Sequence, residues 1–246
     1  MTSLSSTTPP DDIFATTHWT VVLAAGRRQT PESSRALEEL CQGYWYPLYA
    51  YVRRRGLSRE DAEDAVQSFF AKLLSKNSLE NLAAEKGKFR AFLLASLKNF
   101  LANEWDKARA QKRGGGDVPL SLDWQTADSK FQLAATAEPR PDQAFDREWA
   151  VALLARVIER LQADSIADGK GALFGNLKAF LTAGKDGSAQ AEVAKALGME
   201  EGAVRVAIHR LRKRYRELLR HEIACTLSDP AMVEEEMRAL FGAFSV

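Results

Sequence analysis

Apolar residues recur at spacings of three and four along almost the whole chain, and no run alternates in the manner of a half-buried strand. From Ser34 they fall at Leu37, Leu40, Cys41, Tyr44 and Leu48, which predicts a helix that ends at Gly56. Pro47, with no N–H to donate, kinks that segment or opens a second helix within it. Ser58, followed by Arg59, Glu60 and Asp61, reads as a helix start: a serine cap with acids in the first turn. Ala62, Ala65, Val66, Phe69, Phe70, Leu73 and Leu74 supply the buried face of that helix. A third helix is predicted over 88–112, with Phe89, Phe92, Leu93, Leu97 and Phe100 inward, stopping at Gly114-Gly115-Gly116.

Residues 114–146 carry three glycines and prolines 119, 139 and 141 without a sustained period, and read as a flexible linker in which Trp124, Phe131 and Phe145 are candidate docking residues. Helices resume at 149–161, 171–183, 189–197 and 201–222. Ser228-Asp229-Pro230 opens a last one, with Val233, Met237, Leu240, Phe241 and Phe244 on its apolar face. The fold class is all-α, two small helical domains joined by a linker. Its divisions are an N-terminal extension (1–33), a first domain (34–113), the linker (114–146), a second domain (147–227) and a helical tail (228–246). The tail is read as a cap over the last core, with a regulatory helix as the alternative; the role of the extension stays open.

The most informative motif is QAEVAKALGMEEGAVRVAIH, residues 190–209. Ala194 stands where two helices would cross closely, and Gly198 ends the first helix at a position that favours a left-handed backbone. Leu197, Val204, Ala207 and Ile208 form the apolar face. This is the pattern of a helix-turn-helix, whose second helix enters a major groove. By position Glu201, Arg205, Val206 and His209 face base edges, while Arg210, Arg212, Lys213 and Arg214 meet phosphates. The plain alternative is a basic helix that solvates its own face or packs on an acidic partner.

Charge changes the picture only when it is localised. The 246 residues hold 34 Lys+Arg and 33 Asp+Glu, net +1, which excludes a uniformly basic coat for nucleic acid. Yet 86–113 carry eight cations against two acids, and 205–220 carry seven against one. The remainder of the chain is therefore acidic. Two distant cysteines and three histidines show no metal-ligand spacing; a disulfide between Cys41 and Cys225 is possible, and two reduced thiols are the preferred reading. No apolar stretch approaches the roughly 20 residues that cross a bilayer, and the start lacks the order of a signal peptide, so a cytoplasmic protein without membrane contact is expected. No nucleophile–base pair or phosphate loop is present, and neither an enzyme nor a cofactor nor a metal is expected.

Three segments carry a family resemblance. ALEELCQGYWYPLYAYVRRRG, SREDAEDAVQSFFAKLL and GKFRAFLLASLKNFLANEWDKARAQKR, in that order, resemble region 2 of bacterial RNA polymerase sigma factors of the extracytoplasmic-function (ECF) type. Residues 188–222 resemble their region 4. The most specific piece is DAEDAVQSFF, Asp61 to Phe70, with Ser68 in place of the family's usual Glu; Phe92 replaces a usual Trp. The resemblance implies a sigma factor that directs promoter-specific initiation without catalysing it. Asp61, Asp64 and Gln67 would bind the β′ clamp helices of core RNA polymerase. The helix with Lys88, Arg90, Asn99, Asn103, Trp105, Arg109 and Arg113 would capture melted −10 DNA. Aromatics among cations suit that task, because unstacked bases stack on rings while phosphates meet Lys and Arg. The helix-turn-helix would read duplex −35 DNA and contact the β flap. An anti-sigma factor is a possible further partner. A stand-alone helix-turn-helix regulator that never joins polymerase is the rival reading.

Overall fold

The computed structural model describes Trp19, Phe131 and residues 30–74, 87–110, 140–181 and 187–244, with backbone alone at 105–110 and 187–188. Most of the N-terminal extension (1–18 and 20–29), the glycine run 114–116 and Trp124 lie outside the described residues. Within them the chain forms α-helices and two short 3-10 turns; there is no strand, only an isolated bridge between Lys88 and Leu227. The fold is all-α.

Helix α1 (Pro31–Gln42) begins three residues before the apolar period does, because its start is set by a cap. Thr30 Oγ1 accepts from the Ser33 amide at 3.1 Å and Ser33 Oγ accepts from the Thr30 amide at 3.0 Å. That reciprocal box is worth about 1 kcal/mol, and Pro31 at the first position loses no hydrogen bond by lacking an N–H. Gly43 and Tyr44 then break the helix, and α2 (Trp45–Arg54) restarts with Pro47 inside its first turn. Pro47 thus opens a second helix instead of kinking one. Gly56, at φ +91°, turns the chain into α3 (Arg59–Leu74). α4 (Phe89–Ala110) and α5 (Pro141–Ala167) follow, so six residues assigned to the linker are helical. Phe145 is buried in α5. Phe131 lies against α2, with the guanidinium carbons of Arg53 and Arg54 4.7 and 5.1 Å from its ring centre.

After α5 come α6 (Gly171–Leu177), a 3-10 turn (Lys178–Leu181), α7 (Gly187–Leu197), α8 (Glu201–Ala224), a second 3-10 turn (Pro230–Met232) and α9 (Val233–Gly242). The chain divides into two compact units, one of residues 1–150 with 223–246, the other of 151–222. The C-terminal tail therefore belongs to the first unit.

That first unit is built on aromatic contacts around the start of α4. Trp19 and Tyr44 approach Phe89 with ring centres at 4.9 and 5.2 Å, and Trp149 Nε1 donates to Tyr44 Oη at 3.1 Å. The backbone closes the same corner. Phe89 N donates to Thr226 O, Ser228 N to Gly87 O and Trp19 N to Cys225 O, all near 3.1 Å or less. Cys41 and Cys225 form no disulfide, and burial pushes the Cys41 thiol well above the ordinary cysteine range. In α9 the expected apolar face is only half correct. Val233 and Leu240 are buried, but Phe241 and Phe244 are exposed and Glu236 takes an interior place at 1% exposure. The reason is a cation: Arg90 of α4 forks onto Glu236, through Nε to one carboxylate oxygen and Nη2 to the other.

The second unit has its own core, Leu177, Phe180, Ala194, Val204 and Ile208. Gly198 sits at φ +62° after α7. Met199 N donates to Ala194 O at 2.9 Å and Gly198 N to Lys195 O at 3.3 Å, so the paired bonds of a Schellman motif satisfy the last carbonyls of α7. Ala194 is buried in this core together with Val204 and Ile208 of α8.

Two stability predictions follow from these contacts. Glu236→Ala leaves a buried Arg90 with Asp146 alone and should cost the first unit about 3 kcal/mol, whereas Arg90→Leu with Glu236→Leu should recover most of it. All five tryptophans lie in residues 1–150, so urea unfolding followed by their fluorescence reads this unit. Gly198→Val forces a branched side chain into the left-handed region and should cost the second unit about 1–2 kcal/mol or more, seen as a lower thermal midpoint by circular dichroism.

Candidate polymerase and nucleic-acid surfaces

On α3 the cap and the candidate contact residues share one turn. Ser58 Oγ accepts from the Asp61 amide at 3.1 Å and donates to Asp61 Oδ2 at 2.8 Å. Asp61 thereby orients the Ser58 cap as well as presenting an exposed acid. Asp64 is exposed one turn on, and Gln67 is half-buried beside it. Glu63 is turned aside by Arg59, 2.8 Å away. The opposite side, Ala62, Val66, Phe69, Phe70 and Leu73, is buried. The helix therefore presents a short acidic flank backed by a rigid apolar face.

The seven α4 candidates separate into three groups. Asn99 and Asn103 are exposed, in line with Ala91 and Ala95 on the solvent side. Trp105 and Arg109 lie where backbone alone is described, and Arg113 lies outside the described residues. Lys88 and Arg90 are withdrawn from solvent at 17% and 16% side-chain exposure. Lys88 Nζ lies 2.7 Å from Glu235 and 3.0 Å from Glu236. Arg90 pairs with Glu236 and Asp146 and stacks over the Trp149 ring, 4.7 Å from its centre. Further along, Lys98 pairs with Asp142 at 2.9 Å.

The electrostatics of this cluster are consistent with its geometry. Burial opposes the charges of Lys88 and Arg90, but hydrogen bonds to the carboxylates and their negative charge together outweigh it, and both pKa values stand above the ordinary ones. The hydrogen bond from Lys88 and its positive charge hold Glu235 below the usual carboxylate range. Asp146 goes the other way: burial raises it, and the attraction of Arg90 only partly offsets that. Two cations thus face three carboxylates, and the root of α4, basic by sequence, is not basic in the fold. Nothing local in the sequence signals this, since the glutamates lie almost 150 residues away.

On α8 the outward residues are Glu201, Arg205, Val206, His209 and Arg210, all exposed along two turns beyond the Gly198 turn. Val204 and Ile208 anchor the inner side. Two residues expected at phosphates are occupied within their own unit. Arg212 Nε donates to the Phe180 carbonyl at 2.9 Å, closing the end of a 3-10 turn, and Arg214 pairs with Asp164 at 3.3 Å. Arg212 is in addition half-buried, whereas Arg214 remains exposed and its pair is weak. Lys213, also exposed, is 3.9 Å from Glu217.

Among the described residues no group of His, Cys, Asp or Glu is arranged to hold a metal ion, and no helix is long and apolar enough to cross a membrane. What the arrangement offers is recognition: an acidic flank on α3, a polar face on α4 and a mixed cationic and apolar face on α8.

Comparison with known families bears on the first of these units. A search of curated proteins and a search of solved structures returned no match. Residues 34–111 match the family model Sigma-70 region 2. That segment runs from within α1 to the end of α4 and leaves the greater part of the chain unmatched. This part of the chain is therefore similar to region 2 of sigma-70 factors.

Proposed function

We propose that this chain is a sigma factor of the ECF type. In this reading Asp61, Asp64 and Gln67 bind the β′ clamp helices, α4 captures the melted −10 strand, α8 reads the −35 duplex and the second unit contacts the β flap. The observation that carries the reading is the capped α3, whose acidic flank is exposed inside a segment matching region 2. An exposed carboxylate pair on a rigid helix suits arginines of a partner, because steering by opposite charge speeds encounter and fixes register. The outer face of α8 suits a major groove: Arg205 and His209 are placed for base edges, Val206 for a thymine methyl and Arg210 for phosphate. Opening of the −10 element needs no nucleotide hydrolysis here, since binding energy for unstacked bases drives it.

A stand-alone regulator that binds duplex DNA through α7 and α8 alone is the competing reading. One observation favours it, the loss of Lys88 and Arg90 to carboxylates, because such a protein needs no cationic α4.

Asp64→Lys separates the two. Under the sigma-factor reading it should weaken association with core polymerase at least ten-fold, roughly 1.4 kcal/mol, while leaving duplex binding unchanged. Arg205→Ala should cost about 1–3 kcal/mol of promoter discrimination with core association intact. Gel filtration with core polymerase and run-off transcription from a selected promoter measure both. A purified protein that neither co-elutes with core nor supports promoter-specific initiation would rule the sigma-factor reading out.

A further inference from the structure

The carboxylates of α9 stand where phosphates would have to stand if the root of α4 met a nucleic-acid strand. We infer that Glu235 is a built-in competitor of DNA phosphate for Lys88, so that the C-terminal helix limits the affinity of α4 for single strands. The inference rests on the proposed reading of α4 as a strand-binding helix and adds to it a control element supplied by the far end of the chain.

The two cations of the cluster differ in how firmly they are held, and that difference identifies the exchangeable one. Arg90 is locked. Its planar fork takes both oxygens of Glu236, a third contact goes to Asp146, and its flat face lies on Trp149. Glu236 itself is buried, so no phosphate can replace it without opening the unit. Lys88 is different. Its ammonium is a point charge on a four-carbon stem that can swing without losing a fork geometry. One of its two partners, Glu235, is 58% exposed, and an ion pair that wet is worth little. Exchange of Glu235 for a phosphate oxygen therefore requires a change of side-chain rotamer and no rearrangement of α9.

Charge decides the direction of the effect. Lys88 and Arg90 face Glu235, Glu236 and Asp146, so an approaching strand meets one excess negative charge. Removal of the Glu235 charge leaves two cations against two acids and frees one hydrogen-bonding position on Lys88. The surroundings hold α9 in register for this role. Ser228 N on Gly87 O, Phe89 N on Thr226 O and the Lys88–Leu227 bridge fix the segment leading into it, and Val233 and Leu240 bury its inner side.

The test is a charge cycle on the full chain, with binding of a fluorescein-labelled oligothymidylate followed by anisotropy across a range of salt. Glu235→Gln should tighten binding about five-fold near 0.1 M salt and steepen the log–log salt slope by about 0.7, the signature of one added phosphate contact on a single strand. Glu234→Gln removes the same charge from the same exposed turn and should leave the slope unchanged. Lys88→Gln should lower affinity only slightly in the parent chain, and more in the Glu235→Gln background, where it should cancel the gain. Equal effects of Glu235→Gln and Glu234→Gln would overturn the proposal, as would equal losses of affinity on Lys88→Gln in the parent and in the Glu235→Gln background. In both cases oligothymidylate binding would persist and the α4 reading would stand. If neither the parent nor any variant binds the oligothymidylate while all keep the parent's circular dichroism, the α4 reading falls, and this proposal with it.

Discussion

The buried fork of Arg90 onto Glu236 is the constraint around which the start of α4 is arranged, since neither charge tolerates loss of the other. It joins α4 to the last helix of the chain, while Asp146 and the Trp149 ring bring the start of α5 to the same guanidinium. Withdrawing these charges from water is expensive, and mutual attraction compensates only when every polar position is filled and the geometry is good. Both conditions hold here: the fork is complete, and the ring covers the face of the cation. The contact also closes a very long loop, because the whole second unit lies between its ends. Loop-closure entropy rises only slowly with length, so a single well-made corner of aromatic, backbone and ionic contacts suffices to hold the C-terminus in place.

That corner alters what α4 offers to a partner. By composition the helix begins with cations, and a strand of nucleic acid would be drawn there. In the fold those cations are matched by acids, and the accessible described face consists of Asn99 and Asn103 in line with small side chains. Under the proposed function, recognition along this stretch passes from phosphate attraction to amide hydrogen bonds with bases, which carry sequence information where phosphate contacts do not. Affinity must then come from elsewhere, from the partner polymerase or from the remaining cations further along the chain.

What the sequence made legible and what it concealed differ by the range of the interactions involved. Ser58 with Asp61, Gly198 and the small Ala194 are signals whose physical cause lies within a few residues, and the structure places a cap, a left-handed turn and a buried core position there. Thr30 and Ser33 are equally local, yet an apolar period alone starts α1 late, since a cap precedes the face it serves. The face of α9 could not be read this way. Its heptad-like residues Val233, Met237, Leu240, Phe241 and Phe244 predict burial, but the facing surface contains a guanidinium, and an acid is worth more opposite it than a phenyl ring. Pro139 and Pro141 suggest a break and extend the expected linker over 141–146, yet a proline at the first helical position begins a helix as readily as it ends one.

Near-neutral net charge hides two basic helices, and basic helices in turn hide how many of their charges are available. On α8, Arg212 closes a 3-10 turn through a backbone carbonyl and Arg214 has a carboxylate beside it, whereas Arg205, His209 and Arg210 face outward. On α4, Arg90 is structural and Lys88 is shared. A cation that completes a fold cannot also release a counterion from DNA, so the salt dependence of binding measures the exposed subset and not the total. The acidic remainder of the chain is therefore partly the internal complement of those helices: Asp146, Asp164, Glu235 and Glu236 each pair with a cation that composition would assign to nucleic acid.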